Sequence, residues 1–318
     1  AKPIVVAGEG RVVEGLVGRR KHKNSFEYEV KWKGLADKKN TWMHRDELVA
    51  LGFAVIFKAT DVFNFAQGMF VVCGAYFVVT ALSILNLPFP LAVALTIVAA
   101  ALLGALIHVF LIQPLAGRPM LMVIMLTIAL SIVLRAAIEI AYGPQGRTLT
   151  TPMPSGVVVL GDLRMSYLHL SAALVSWACM AVFGAFFRFT SIGLLMRATA
   201  DGHEAAVVSG INVNTMNRLA WAIGAVLAAI GGLFLGQLQI VSTELESIGL
   251  LALPAVVIGG IQSIPGAIVG GLLVGIIEQL AAAYISPKAS DIVIYALLLL
   301  ILMARPWGLF GQRELGRV

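Results

Sequence analysis

The sequence carries little charge for its length, and the charge it has is concentrated at the front. Charged residues make up 13% of the 318 positions and hydrophobic residues 59%, whereas roughly a quarter of a soluble domain is charged. Residues 1–48 hold 11 Lys/Arg and 7 Asp/Glu, and the other 270 residues hold only 12 and 10. This distribution is typical of a small basic soluble segment followed by a polytopic membrane protein.

Two further absences limit the chemistry of the chain. There are only two cysteines, Cys73 and Cys179, and both fall in apolar runs, so no disulfide framework or metal site is predicted. No GxxxxGK[ST] sequence occurs, so the chain is not expected to cradle ATP phosphates by that route. No apolar leader segment is expected before residue 48 either.

Apolar runs after residue 48 are long enough to cross a bilayer, which takes about 20 mostly apolar residues in a helix. They predict an all-α polytopic membrane protein with about eight transmembrane helices, behind a small β-rich segment. The sequence Ser263-Ile264-Pro265-Gly266 predicts a tight turn between two of the spans. The candidate spans are 69–86, 89–113, 120–142, 167–187, 219–240, 248–263, 266–285 and 291–305.

The arginines predict the orientation of these spans, because cytoplasmic loops are enriched in Lys and Arg. Seven arginines fall in the loops 114–119 and 188–218 and in the tail from 305, which share one side if the spans alternate. The other side has two arginines and one lysine. We therefore expect 188–218 and the C-terminus in the cytoplasm and the loop 143–165 outside.

Ionisable residues inside the spans are candidate functional groups, because a charge in hydrocarbon is costly unless it faces a partner or a cavity. Arg135 and Glu139 are four residues apart, a spacing that lets them pair along one helix face. His108 is expected to be a packing residue. Glu278 is either part of a gated solute pathway or a structural polar contact. Small-xxx-small glycine spacing, as at Gly266 and Gly270, predicts close helix packing.

The loop within 197–224 is predicted to hold a short amphipathic helix. Glu204-Ala205-Ala206 is followed there by Gly210, a residue type that commonly ends a helix. The alanines would let a partner approach closely, and Glu204 offers one charge for docking. The spacing is a weak pattern on its own, but in a long loop between two spans it resembles the coupling loop of ABC importer permeases.

A broader resemblance covers about residues 50–318. The chain is similar, in collinear order, to permeases of branched-chain amino acid ABC importers, the LivH type. The similarity is carried by FNFAQG (63–68), SIGLLMRATADGHEAAVVSGIN (191–212), GGIQSIPGAIVGGLLVGIIE (259–278) and RPWGLFG (305–311). Relatives of this type also serve urea, amides and aromatic acids, so the resemblance specifies the family more closely than the solute.

The resemblance implies a non-enzymatic, multi-pass subunit of the bacterial inner membrane. It implies no cofactor, because ATP would be bound by partner subunits. Those partners are a sister permease subunit, two cytoplasmic ATP-binding-cassette ATPases and a periplasmic or extracellular solute-binding protein, all around a lipid bilayer. Glu204, Ala205, Ala206 and Gly210 would dock in the ATPase and transmit its closure.

Candidate pathway residues come from the same analogy. Asn64 and Gln67 precede the first full span, and helix capping or turn formation is the alternative role for them. The competing class of protein is a secondary transporter or a channel, which should show ion-coupling carboxylates at broken helices near the midplane. Glu278 is the deep carboxylate candidate for such a role.

In the front segment, residues 10–50, apolar and polar residues alternate as they do in β-strands. VVEGLV, SFEYEVKW and NTWMH predict three strands, and HRDELVALGF the start of a helix. The segment resembles a chromodomain, and GRRKHKNSFEYEVKW is closer still to the chromodomain-like insert in ABC ATPases of the translation elongation factor three group.

The function of chromodomains does not carry over with this resemblance. Methyl-lysine readers hold their ligand in an aromatic cage. Alignment of the KWKG core places the cage positions at Arg11, Trp32 and Leu35, so Trp32 is the only aromatic remnant. A basic patch that contacts the ribosome or RNA is an alternative to an idle appendage, although nucleic acid is not the expected partner.

The two parts meet at 49–57, VALGFAVIF. Nine helical residues rise about 14 Å, less than half of a hydrocarbon core of about 30 Å. The segment therefore cannot span, and either lies at the interface or dips in and returns. The predicted domains are 1–48, soluble and cytoplasmic, and 49–318, the permease. Three origins fit this junction: a natural fusion, two genes joined by faulty gene prediction, and an engineered chimera. The resemblance favours the second, because permeases of that type begin with a full helix and this chain keeps only residues 49–57 of it.

Overall fold

A computed structural model describes residues 13–22, 25–32, 49–57, 63–115, 117–149, 156–160, 163–201, 203–261, 263–286 and 289–311. These residues are mostly helical, and six of the described helices are long and apolar enough to cross a membrane. The predicted class, a helical polytopic membrane protein, is confirmed.

The helices follow one another with short connections, and π-helical turns extend two of them, at Thr80–Ile84 and His108–Ile112. In chain order the helices are α1 (49–57), α2 (Gln67–Val79), α3 (Phe89–Ile107), α4 (Met120–Tyr142), α5 (Tyr167–Phe189), α6 (Ser191–Asp201), α7 (His203–Val208), α8 (Val213–Leu238), α9 (Leu245–Leu250), α10 (Ala252–Gly259), α11 (Ile264–Tyr284) and α12 (Ser290–Ala304).

Two of the eight predicted spans are shorter than expected. The predicted span over 248–263 is shorter and interrupted, because the chain forms two short helices there, α9 and α10. Pro254 has no N–H to donate to the carbonyl of Leu250, so one helix ends and another begins. Together α9 and α10 rise about 22 Å, as does α12, against a hydrocarbon core of about 30 Å.

Side-chain caps fix where two of the helices begin. The hydroxyl of Ser263 accepts a hydrogen bond from the backbone N–H of Gly266 at 3.0 Å and so caps α11, which confirms the predicted tight turn. The side chain of Asn212 accepts from the N–H of Thr215 at 3.1 Å. This cap starts α8 six residues before its predicted span.

Glycines bring the central helices into backbone contact. A Cβ on Gly74 of α2 would lie 2.2 Å from the Cα of Ala229 in α8, and one on Gly232 would lie 2.1 Å from the carbonyl oxygen of Val71. A Cβ on Gly266 would similarly lie 2.3 Å from the carbonyl oxygen of Gly259. Small residues therefore hold these pairs of helices together at close range, as predicted.

Helix α1 lies inside the protein. Residues 49–56 are buried on all faces, whereas an interfacial helix would leave one face open. A Cβ on Gly52 would lie 2.4 Å from the amide nitrogen of Gln67 and 3.1 Å from the carbonyl oxygen of Gly224. The interfacial alternative is therefore wrong, and α1 packs into the core of the bundle.

The front segment contains an antiparallel hairpin, β1 (Val13–His22) with β2 (Ser25–Trp32). The hairpin pairs the first two predicted strands, and Trp32 lies opposite Val13. The third predicted strand and the other two cage positions lie outside the described residues, so the complete β-rich domain stays a prediction. A second hairpin, β3 (Val157–Leu160) with β4 (Leu163–Ser166), was not predicted.

Candidate functional site

The break before α2 contains the two buried amides that the sequence singled out. Asn64 donates from Nδ2 to Oε1 of Gln67 at 3.1 Å, and Gln67 donates from Nε2 to the carbonyl oxygen of Gly224 at 3.2 Å. The Oδ1 of Asn64 accepts from the N–H of Ala66 at 3.1 Å. These bonds give Asn64 the turn-forming role that was the alternative, while a pathway role for the two amides stays a prediction.

The non-helical backbone of this break is satisfied by α4. The hydroxyl of Thr127 accepts a hydrogen bond from the N–H of Phe65 at 3.3 Å and lies 3.4 Å from the carbonyl oxygen of Phe63. Thr127 is seven residues into α4, which corresponds to about 10 Å along that helix. Irregular backbone at such depth is tolerated only where protein or a cavity covers it.

A line of polar side chains runs along α4 from this break. Thr127, Ser131, Arg135 and Glu139 are spaced by four residues, so each is turned by only about 40° from the one before. Thr127 and Ser131 are buried. We call these four residues the polar line of α4.

Arg135 forms an ion pair with the short helix α9. Its Nη2 lies 2.6 Å, and its Nε 3.2 Å, from Oε2 of Glu246. Glu139 instead accepts a hydrogen bond from the hydroxyl of Thr243 at 3.2 Å. The predicted pairing of Arg135 with Glu139 is therefore wrong, because the segment after α8 crosses α4 and supplies a partner for each of them.

The same segment is tied down at its start. Arg147 and Val241 exchange two backbone hydrogen bonds of 2.8 Å, and the guanidinium of Arg147 donates to the carbonyl oxygen of Tyr142 at 3.2 Å. The hydroxyl of Tyr76 donates to the carbonyl oxygen of Val241 at 3.4 Å, and Tyr142 contacts the hydroxyl of Thr80. Residues 241–246 are thus fixed to the ends of α2 and α4.

The EAAxxxG stretch forms α7, and Gly210 ends it as predicted. Gly210 has a φ of +80°. Its N–H donates a hydrogen bond to the carbonyl of Val207 at 3.0 Å. The N–H of Ile211 donates to the carbonyl of Ala206, also at 3.0 Å. This pair of bonds is a Schellman motif, which needs a left-handed residue at the position of Gly210. Ala206 is buried, and the backbones of Glu204 and Ala205 are helical. Their coupling role is not tested by this geometry.

The remaining candidates lie on separate elements. Glu278 is buried in α11 with 2% of its surface exposed, a position that fits both a pathway role and a structural one. His108 is buried in a π-helical turn, as a packing residue would be. Among the described residues no group of three or more His, Cys, Asp or Glu side chains could hold a metal ion.

Six described helices that are long and apolar enough to cross a membrane define the class of polytopic membrane proteins. Residues 47–302 match the family described as branched-chain amino acid transport system / permease component. The chain therefore belongs to this family and is a permease component of an ABC transport system, not an enzyme. The family implies ATPase and substrate-binding partners in general.

Individual relatives agree with the family match. The high-affinity branched-chain amino acid transport system permease protein LivH of Salmonella typhimurium is 30% identical over 290 residues, covering 85% of this chain and 92% of LivH. BraD of Pseudomonas aeruginosa is 30% identical over 286 residues, covering 85% and 93%. The solved structure of PsaBC from Streptococcus pneumoniae in complex with Fab has a TM-score of 0.46 at 14% identity, covering 85% of this chain and 91% of that one, a likeness too distant to support an argument.

The front segment has relatives of a different kind. Residues 11–52 match the chromo domain family, and Elongation factor 3 of Gonapodya prolifera is 51% identical over 49 residues, covering 15% of this chain and 4% of that protein. The two family matches share residues 47–52. The junction therefore falls where both families use similar residues.

Proposed function

We propose that this chain is the membrane subunit through which an ABC importer moves Leu, Ile or Val into a bacterial cell. The proposal is supported by the family and by relatives whose names specify branched-chain amino acids. Its partners would be a sister permease, two ATPases that bind the ATP, and an external solute-binding protein. In this proposal residues 49–318 form the permease domain and residues 1–48 a separate soluble domain.

The proposed orientation places α6, α7 and both chain ends in the cytoplasm, and it needs α9 and α10 together to make one crossing of the membrane. It follows from the arginines, which are concentrated in 188–218 and in the tail. The hairpin β3–β4 and residues 239–246 then face outward, where the loaded solute-binding protein would dock. Asn64, Gln67 and Glu278 are proposed to adjoin the solute pathway, because buried polar groups at a broken helix are typical of such sites.

The exposed face of α7 carries the proposal of ATPase coupling. Val207 is 61% exposed and Val208 89%, whereas Ala206 beside them is buried. In this orientation both valines face the cytoplasm, where the proposed partner ATPase would cover them. We therefore assign residues 201–212, with Glu204, Ala205, Ala206 and Gly210, to the ATPase cleft.

A charge placed on α7 tests this assignment. Val208→Lys would put an ammonium group into an apolar contact, so we expect co-purification of the ATPases and ATP-driven uptake to fall at least tenfold. Gln113→Lys adds the same charge at an exposed position on the same side of the membrane and should change neither. Glu204→Arg is expected to weaken docking as well. Normal assembly and uptake with Val208→Lys would contradict the coupling role.

A further inference from the structure

We propose that Arg135 and Glu246 form a binding station for a zwitterionic α-amino acid on its way into the bundle from outside. The proposal rests on the proposed function, amino acid import, and adds the residues that recognise the solute's charged end. The two side chains present opposite charges 2.6 Å apart. An α-amino acid carries a carboxylate and an ammonium group on one carbon, and so it has the complementary pair.

The pair retains capacity for a ligand. A guanidinium has five N–H donors, and in the described part of the chain Arg135 gives two of them to a single oxygen of Glu246. The remaining donors can bind a carboxylate, for which the planar guanidinium is well suited. Glu246 can accept from an ammonium group at the same time, because a carboxylate has about four lone-pair sites.

The pair is also accessible. The side chain of Arg135 is 41% exposed and that of Glu246 12%. Arg135 lies between the lipid-facing side of α4, where Ile132 is 63% exposed, and the buried side, where Ile138 is 7% exposed. An arginine held in hydrocarbon at this depth would be costly, so its open side requires polar surroundings rather than lipid.

The polar line of α4 connects this station to the rest of the proposed pathway. Glu139, paired with Thr243, lies one turn toward the outer end of α4, and Ser131 and Thr127 lie one and two turns in the other direction. Thr127 contacts the backbone of the break that holds Asn64 and Gln67. The polar line is thus continuous from the station to the break, and its inner half, Ser131 and Thr127, is covered by protein.

Double variants in the complete importer distinguish solute recognition by Arg135 and Glu246 from a purely structural role, in which their ion pair only holds α9 in place. Arg135→Gln with Glu246→Gln keeps two hydrogen-bonding side chains but removes both charges. We expect assembly, melting temperature and ATPase stimulation by loaded binding protein to stay near wild type, while uptake of labelled leucine falls at least tenfold. Arg135→Glu with Glu246→Arg restores an ion pair in the reverse order, and we expect uptake to stay low. Wild-type uptake by either double variant would overturn the proposal.

A second measurement needs no variant. The wild-type complex without binding protein is melted with leucine, with 4-methylpentanoate, which lacks the ammonium group, or with 3-methylbutylamine, which lacks the carboxylate. If the station exists, leucine raises the Tm and neither analogue does. Equal Tm shifts with leucine and the analogues, or no shift with leucine, would overturn the proposal. Arg188→Gln removes an exposed arginine outside this region and should retain uptake. If the wild-type importer accumulates no leucine, the proposed function itself fails.

Discussion

Gln67 donates a hydrogen bond from its side-chain nitrogen to the carbonyl oxygen of Gly224, 157 residues further along the chain, at 3.2 Å. A Cβ added at Gly52 would lie only 2.4 Å from the same nitrogen. Three elements, α1, the start of α2 and the middle of α8, therefore meet at one buried amide. The helix at the junction of the two parts of the chain is packed as an integral part of the permease bundle.

Removing this amide should destabilise the bundle. In Gln67→Leu the side-chain amide of Asn64 loses its buried partner, and such an unsatisfied polar group costs about 1–3 kcal/mol. The carbonyl of Gly224 loses only its second partner, because it lies inside α8 and keeps its intrahelical hydrogen bond. We expect a clear fall of Tm in detergent. Gln113→Leu changes an exposed side chain of the same type and should leave Tm nearly unchanged; equal effects of the two would contradict the role of Gln67.

The contact between α2 and α8 should not tolerate a larger residue at Gly232. A Cβ there would lie 2.1 Å from the carbonyl oxygen of Val71, so Gly232→Val must push the two helices apart, at a cost of about 1–3 kcal/mol or more. We expect poor expression or a lower Tm. Gly184→Val is the matched control, because a Cβ at Gly184 meets no atom within 4 Å; a comparable loss there would show that valine itself is harmful in these helices.

The end of α7 should depend on the left-handed conformation of Gly210. Gly210→Ala forces a Cβ into φ +80°, which costs about 1–2 kcal/mol. No atom within 4 Å opposes that Cβ, so the effect is conformational only. We expect faster amide exchange in α7 and weaker ATPase stimulation, and Gly210→Asn should retain more of both because Asn tolerates this conformation. Identical behaviour of the two variants would contradict the explanation.

The RPWGLFG stretch should anchor the end of α10. The N–H groups of Leu309 and Phe310 donate to the carbonyls of Ile258 and Gly259 at 2.8 and 2.9 Å. Gly308→Ala would add backbone strain at φ +76° and a Cβ 2.6 Å from the carbonyl oxygen of Val257. Gly143→Ala adds backbone strain without a clash, because no atom lies within 4 Å of a Cβ added at Gly143. The Tm of the first variant is therefore expected to be lower than that of the second.

The long helices could be predicted because hydropathy over about 20 residues is a local signal. The end of α7 could be predicted for a similar reason, since Gly210 encodes the left-handed turn by itself. The break at Leu251 was missed because 248–261 contains no polar side chain and Pro254 is compatible with the first turn of a helix as well as with a break inside one.

The polar contacts could not be predicted, because they depend on tertiary packing. Arg135 has an available partner four residues away, and only the path of the chain after α8 decides that Glu246 takes that place. The burial of α1 is equally non-local, since its partners, Gln67 and Gly224, lie on two other helices. The spacing of polar residues on α4 was visible in the sequence, but its meaning depends on these partners.

The most direct test of the account is uptake of labelled leucine by proteoliposomes. They would contain this chain with its sister permease and ATPases, and loaded solute-binding protein would be added outside. If the chain is a leucine-importing ABC permease, leucine accumulates against its gradient, the accumulation requires ATP on the cytoplasmic side, and Val208→Lys abolishes it. ATP hydrolysis stimulated by the loaded binding protein without any accumulation of leucine would contradict the assignment of the solute. Accumulation that needs no ATP would contradict the assignment of the chain as an ABC importer subunit.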